Sequence, residues 1–183
     1  MSDALLTAKQ RLDRTGQRHI NMIDEFKVKR DWVNKANIKS EEMGTLRNSI
    51  TKGKGNTMGF LGEFAVADFL KDSVVSNTYD YDLKVGDRTI DVKTKSCTVK
   101  PRDYYMCSVA AYNTKQKCDV YVFARMLRTL EKGWVLGWIE KEKYFDEAKF
   151  YKKGEQEGDN GYIVVADCYN LPIKKLHDIE FFS

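Results

Sequence analysis

The order of segments along this sequence predicts an α/β or α+β protein with a mixed central β-sheet flanked by helices. Three observations carry that prediction. The first quarter has helical apolar spacing, residues 79–93 have the form of a tight hairpin, and later apolar runs have strand length with turns between them. The chain has 183 residues, 42% hydrophobic and 32% charged, which suits a single domain with its own core and a helical extension.

Residues 3–50 read as helical, with Leu5, Leu6, Leu12, Ile20, Ile23, Phe26, Val28, Trp32 and Val33 recurring among charges. Lys9, Arg11, Arg14, Arg18, Lys27, Lys29, Arg30, Lys35 and Lys39 make this arm basic. Such a face is a solvated surface, a track for a nucleic-acid backbone or a dimerisation arm. A basic, glycine-bearing linker at residues 51–56 divides the chain into an arm, 1–54, and a core, 55–183. Thr57 is placed to N-cap a helix over 58–70, whose small residues Gly59, Gly62, Ala65 and Ala67 suit close packing on a sheet. Glu63 shares an apolar stripe with Phe60, Ala67 and Leu70, which is costly for a carboxylate without a partner or a metal.

A strand is expected over 74–78, followed by the hairpin. Gly86-Asp87, with glycine first, is the signature of a type II′ turn. Its register pairs Val85 with Arg88, Leu83 with Ile90 and Asp82 with Asp91. Leu83, Ile90 and Val92 then share one face, and Asp80, Asp82, Asp91 and Lys93 the other. Like charges directly opposite cost roughly 0.2–1 kcal/mol. Two facing carboxylates are therefore solvated or held by a cation, and a divalent metal reverses the sign of their interaction. Asp80 faces Lys93 in this register and is an ion-pair candidate.

Residues 104–112 suit a strand or a short helix, 119–126 a strand, and 134–139 another after a turn at Lys132-Gly133. A helix is expected over 140–150, a polar loop over 152–161, a strand over 162–166 and a short terminal helix over 174–177.

Composition excludes several classes. No apolar run reaches the roughly 18 residues of a membrane span. Residues 1–6 lack a basic segment leading into an apolar one, so no secretory signal is expected and the cytoplasm is the expected compartment. Cys97, Cys107, Cys118 and Cys168 form no CxxC pair and read as free thiols in a reducing compartment. His19 and His177 stand apart, which argues against histidine catalysis. No GxxxxGK[ST] motif is present. The net charge of +4 and pI near 8.7 are compatible with a polyanionic partner.

Glu63 on a helix, then Asp82, then Asp91-Val92-Lys93 on the next strand, resembles the PD-(D/E)XK, restriction-endonuclease-like nuclease superfamily. The strings Gly59-Phe60-Leu61-Gly62-Glu63-Phe64-Ala65, Tyr81-Asp82-Leu83 and Ile90-Asp91-Val92-Lys93-Thr94 carry the likeness. So do the strand beginning Asp119-Val120-Tyr121 and the segment Gly133-Trp134-Val135. The likeness spans roughly residues 55–180, with Tyr81 where the motif often has proline and Asp91 where it often has glutamate.

The resemblance implies a restriction-endonuclease-like mixed sheet and a Mg²⁺-dependent DNA nuclease, an endonuclease, with Mn²⁺ able to substitute. Glu63, Asp82, Asp91 and Lys93 are then catalytic. Asp82, Asp91 and the Val92 carbonyl are the metal ligands, and Glu63 acts on the metal through water. Lys93 orients the attacking water or offsets charge in the transition state. Thr94, Lys95, Lys100, Arg102, Lys115 and Lys117 are the expected DNA contacts, with Asn113, Thr114 and Gln116 near base edges. A homodimer through the N-terminal helices and a phage or mobile-element origin are also expected. The alternatives are a binding module of the same fold without chemistry, a DNA exonuclease of the phage recombination type, and an interaction protein with an exposed acidic hairpin.

Overall fold

A computed structural model describes residues 23–43, 56–76, 78–158 and 161–182. It is a mixed α/β structure with three α-helices among these residues. The described elements start with strand β1 (Asp24–Lys27) and helix α1 (Arg30–Met43), followed by α2 (Asn56–Phe69) and β2 (Val74–Val75). The hairpin β3 (Leu83–Val85) and β4 (Arg88–Cys97) comes next, then β5 (Met106–Ala110), β6 (Val120–Leu127) and β7 (Lys132–Glu140). Helix α3 (Lys141–Glu147), β8 (Lys149–Tyr151), β9 (Gln156–Glu157), β10 (Tyr162–Ile163) and β11 (Cys168–Pro172) complete the order.

Six strands form the central sheet in the order β1-β7-β6-β4-β3-β2. Only β4 and β6 run parallel; the other neighbours are antiparallel. A second sheet has the order β5-β11-β8, and β9 pairs with β10.

Side-chain alternation divides the core into two layers. Ile90 and Val92 of β4, with Val120, Val122 and Met126 of β6, pack with α1 and α2. Tyr121 and Phe123 of β6, with Cys97, face the second sheet and α3. In β7 the alternation changes phase at a bulge opposite Phe123/Ala124. Val135 and Trp138 thereby both reach the α1–α2 layer, while Trp134, Leu136 and Ile139 reach the other. Gly137 makes the bulge with φ of +128°. A Cβ there would stand 2.3 Å from the His177 carbonyl oxygen.

Several expectations are corrected. The helix over 3–50 is interrupted: Asp24–Lys27 is a strand on β7, with Phe26 opposite Gly133. Residues 23–43, assigned to the arm by sequence, therefore share the core through Phe26, Trp32 and Ala36. The rest of that stretch, including His19, lies outside the described residues. Thr57 lies inside α2 and donates to Asn37 Oδ1 at 3.3 Å instead of capping. Lys132-Gly133 is strand and not turn, because a Cβ on Gly133 would sit 2.5 Å from both the Phe26 ring and the Arg125 carbonyl oxygen. The turn precedes it, where Leu130 takes φ of +58°. The helix over 140–150 ends at Glu147 and gives way to β8; the strand over 74–78 shrinks to Val74–Val75. Residues 152–161 contribute β9, and the strand over 162–166 is only Tyr162–Ile163. A 3-10 turn over Ile173–Lys175 replaces the terminal helix. The four cysteines are free. No helix among the described residues is long and apolar enough to cross a membrane.

Candidate active site

The hairpin forms with the expected register, Val85 opposite Arg88 and Leu83 opposite Ile90. Gly86 takes φ of +56°, which glycine adopts without the penalty a Cβ brings. Asp119 braces the start of β4 by accepting from the Thr89 amide at 2.8 Å and its hydroxyl at 2.7 Å, contacts that lower its pKa.

Beyond Leu83 the ladder departs from simple pairing. The Asp82 amide donates to the Ile90 carbonyl at 2.8 Å, so Asp82 does not sit directly opposite Asp91. Its carboxylate instead bridges to β4, Oδ2 accepting from the Val92 amide at 2.7 Å. N–H and C=O of one strand residue point to the same edge. The Val92 carbonyl therefore opens on the Asp82 side, past the last residue pair of β3.

Asp91 projects from the opposite face to Ile90 and Val92 and is only 2% exposed. Lys93, two residues on, brings its ammonium to 2.6 Å from Asp91 Oδ2. The pair is an ion pair without an aligned hydrogen bond: Asp91 Oδ2, shut off from solvent, has no hydrogen-bond donor. The lysine ammonium donates to Gln116 Oε1 at 2.9 Å and lies 5.7 Å from the Tyr121 ring centre. Gln116 is fixed in turn, donating from Nε2 to the Tyr79 carbonyl at 3.3 Å and accepting at its own carbonyl from Lys141 Nζ.

Glu63 reaches the same group from α2. Burial raises its pKa to about 7; Lys39 opposes the rise, Asp91 adds to it and Lys93 opposes it. Burial likewise pushes Asp82 well up, reinforced by Asp91 and Glu63 and offset by the Val92 amide and Lys93. Three carboxyls thus act on one another at one sheet edge, with one lysine between them. The helix comes this close because Gly62 has no side chain, and a Cβ there would lie 1.8 Å from Thr94 Oγ1.

The expected site residues separate into groups. Glu63, Asp82, Asp91, Val92 and Lys93 come together. Lys115 and Lys117 are exposed on the loop that carries Gln116, beside this group. Asp80 is not the partner of Lys93; it accepts from the Lys117 amide at 3.3 Å. Thr94 turns its hydroxyl towards α2, where it is buried without a hydrogen-bond partner. Lys95 lies on the Asp91–Lys93 face, exposed, 5.3 Å from the Tyr162 ring centre. Lys100 and Arg102 follow the far end of β4, whose last residue, Cys97, lies roughly 20 Å along the strand from Asp91 at ~3.3 Å per residue. Arg102 there donates to the Tyr104 hydroxyl at 3.1 Å.

Sequence reasoning missed the role of Gln116 in holding Lys93, and the approach of Lys39 to Glu63. Neither has a local signal, since both depend on loops and helices folding back onto the hairpin.

Among the described residues, no three His, Cys, Asp or Glu side chains form a closed metal cage. The donor set nevertheless fits Mg²⁺, which binds through one or two carboxylates and keeps several waters. Asp82, Asp91 and the Val92 carbonyl supply hard oxygens, and Asp91 Oδ2, ion-paired to Lys93 but accepting no hydrogen bond, keeps lone-pair capacity for a second cation. No family model matches this sequence, and no curated protein matches it.

Proposed function

We propose that this protein is a Mg²⁺-dependent deoxyribonuclease of the PD-(D/E)XK type, with the restriction-endonuclease-like fold, cutting DNA internally. The observation that carries the reading is the convergence of Asp82 and Asp91 beside the Val92 amide, with Lys93 held 2.6 Å from Asp91 and 2.9 Å from Gln116. An exposed acidic hairpin would leave its carboxylates to water. Here Asp91 is buried, and Asp82 is pushed up by burial and by Asp91 and Glu63, a crowding of carboxyls that would favour a divalent ion.

Asp82, Asp91 and the Val92 carbonyl would hold Mg²⁺ or Mn²⁺, with Glu63 acting through water. When bound, the ion supplies Lewis acidity to the phosphoryl group. Lys93 does the work of a fixed positive charge. Its ammonium cannot swing away without leaving Gln116, so it is preorganised to meet a phosphoryl oxygen as negative charge grows there. Glu63 is placed to accept a hydrogen bond from the attacking water and align it. Water's oxygen bonds to phosphorus as one of its protons passes to solvent, the P–O bond opposite breaks, and the leaving oxygen takes up a proton from solvent. Lys115 and Lys117, exposed on the loop that carries Gln116, would contact the strand's phosphates.

The test is cleavage of supercoiled and linear DNA with Mg²⁺, Mn²⁺ or EDTA. Metal-dependent nicking or linearisation is expected, lowered at least about a hundredfold by Asp91→Ala or Lys93→Ala. Full activity in either folded variant sinks the catalytic assignment. Digestion of linear DNA alone makes the enzyme an exonuclease, and tight binding without cleavage makes it an inactive module.

A further inference from the structure

We propose that a small basic cleft beside Lys93, built around Lys95 and Arg125, binds the phosphate next to the scissile one on the same nucleic-acid strand. The inference rests on the nuclease reading and adds to it a second anchoring point that the motif does not contain.

Lys93 and Lys95 are two residues apart on one strand, so they share a face and stand about 6.6 Å apart along it. That step matches the separation of neighbouring phosphates on an extended strand. Lys95 is paired in register with Arg125 of the parallel neighbour β6, which places the two cations side by side. Between them and β5 lies a cleft of about 40 Å³, lined by Lys93, Lys95, Met106, Cys107 and Arg125 among others. A water needs about 10–15 Å³ by the same measure, so the cleft has room for a tetrahedral oxyanion and not for a base.

The charges in the cleft are incompletely matched. Arg125 is 9% exposed, yet among the described residues its guanidinium donates only to the Met106 carbonyl, 2.8 Å from Nη2. Its guanidinium lies 5.5 Å from the Tyr105 ring centre. A guanidinium has five N–H donors, and a largely buried one is costly without an anion. The carboxylate acting on Lys95 is Glu157, which is buried and accepts from Asn170 Nδ2. Arg125 stands beside Lys95 in register, a repulsion between cations that a bound phosphate relieves.

The experiment uses the full chain in EDTA. Inorganic phosphate is titrated at constant ionic strength and followed by amide NMR shifts around Lys95 and Arg125. Saturable shifts are expected in the wild type, at least tenfold weaker binding in Lys95→Ala and in Arg125→Gln, and recovery in Lys95→Arg. In parallel, affinity for a single-stranded oligonucleotide is measured against salt. Each loss variant is expected to flatten the log–log slope by about 0.7, the value for one single-strand phosphate. Their cleavage defect is expected in KM more than in kcat. Phosphate binding that depends on Lys95, with no DNA bound by any variant, upholds the cleft and defeats the nuclease reading. Phosphate shifts absent in the wild type, or unchanged in Lys95→Ala, overturn the proposal even where DNA is cleaved. If Arg125→Gln does not fold, the Lys95 pair of variants decides.

Discussion

Lys93 carries a fixed charge only because other residues hold it. Its ammonium is shared between Asp91 and Gln116, and Gln116 is itself tied to the Tyr79 carbonyl and Lys141. Removing Gln116 leaves the Asp91 ion pair and frees the lysine to rotate. A hydrogen bond to a charged group contributes about 1.5–3 kcal/mol. Gln116→Ala is therefore expected to lower kcat by roughly 10–100-fold with little change in KM, measured on the same DNA substrate. A fall confined to KM would mean that Gln116 contacts DNA, as sequence reasoning had it, and does not position Lys93.

Asp24 provides a pH dependence away from the site. Burial, followed by Asp178 and Glu180, raises its pKa from 3.8 to about 6, and its Oδ2 is buried without a donor. The folded state thus holds the Asp24 proton over a pH range where the unfolded chain releases it. Stability falls as pH rises through about 6, and the loss disappears on acidification towards 3.8. Asp24→Asn is expected to stabilise the fold at pH 7.5 by about 1 kcal/mol, a value reduced for partial solvent screening. The difference from wild type should vanish near pH 4 in denaturant titrations. An equal gain at both pH values would remove ionisation as its cause.

At the scale of elements, α2 and β4 meet through Gly62 and Thr94. A methyl group at 62 would stand 1.8 Å from Thr94 Oγ1, so Gly62→Ala must push the helix away or turn the threonine. Overpacking of this kind costs about 1–3 kcal/mol. The variant is expected to lose that much stability, and cleavage as well, because Glu63 rides on the same turn. Thr94→Ala should restore part of the loss in the double variant, and additive effects would show that the two residues do not couple. The β7 bulge has less room to adjust. Gly137→Ala meets both a φ of +128° and a backbone carbonyl at 2.3 Å, and is expected to exceed 2 kcal/mol, about the upper range of one strained backbone position.

For the whole molecule, the electrostatic strain at the sheet edge should appear as metal-linked stability. An ion bound by the folded chain at about 100 times its Kd adds about 2.7 kcal/mol. Mg²⁺ or Mn²⁺ is expected to raise the Tm of the wild type and not of Asp82→Asn or Asp91→Asn. In EDTA Asp82→Asn should be at least as stable as the wild type, since it removes a crowded charge, whereas Asp91→Asn breaks the buried ion pair to Lys93 and should be less stable. A Tm indifferent to divalent ions would detach the carboxyls from metal binding.

Local chemistry made part of this molecule legible from the chain alone. Gly86-Asp87 forces a tight turn whatever surrounds it, so the hairpin and its first pairs follow from the sequence, and with them the shared face of Asp91 and Lys93. Residues 119–126 are apolar enough to be a strand in any context. The rest depended on distant partners. Asp24–Lys27 has no strand pattern of its own and becomes one because Phe26 fills the space that Gly133 leaves. That same glycine, read locally, signalled a turn. The departure of Asp82 from simple pairing, the burial of Thr94 and the capture of Lys93 by Gln116 are long-range events of the same kind. The sequence by itself determined which residues carry charge and which sheet face they occupy, because side-chain alternation is a local property. Only the tertiary structure decided that three carboxyls and a lysine share one desolvated edge, because burial and mutual charge exist only once α2 and the 113–118 loop have closed over the hairpin.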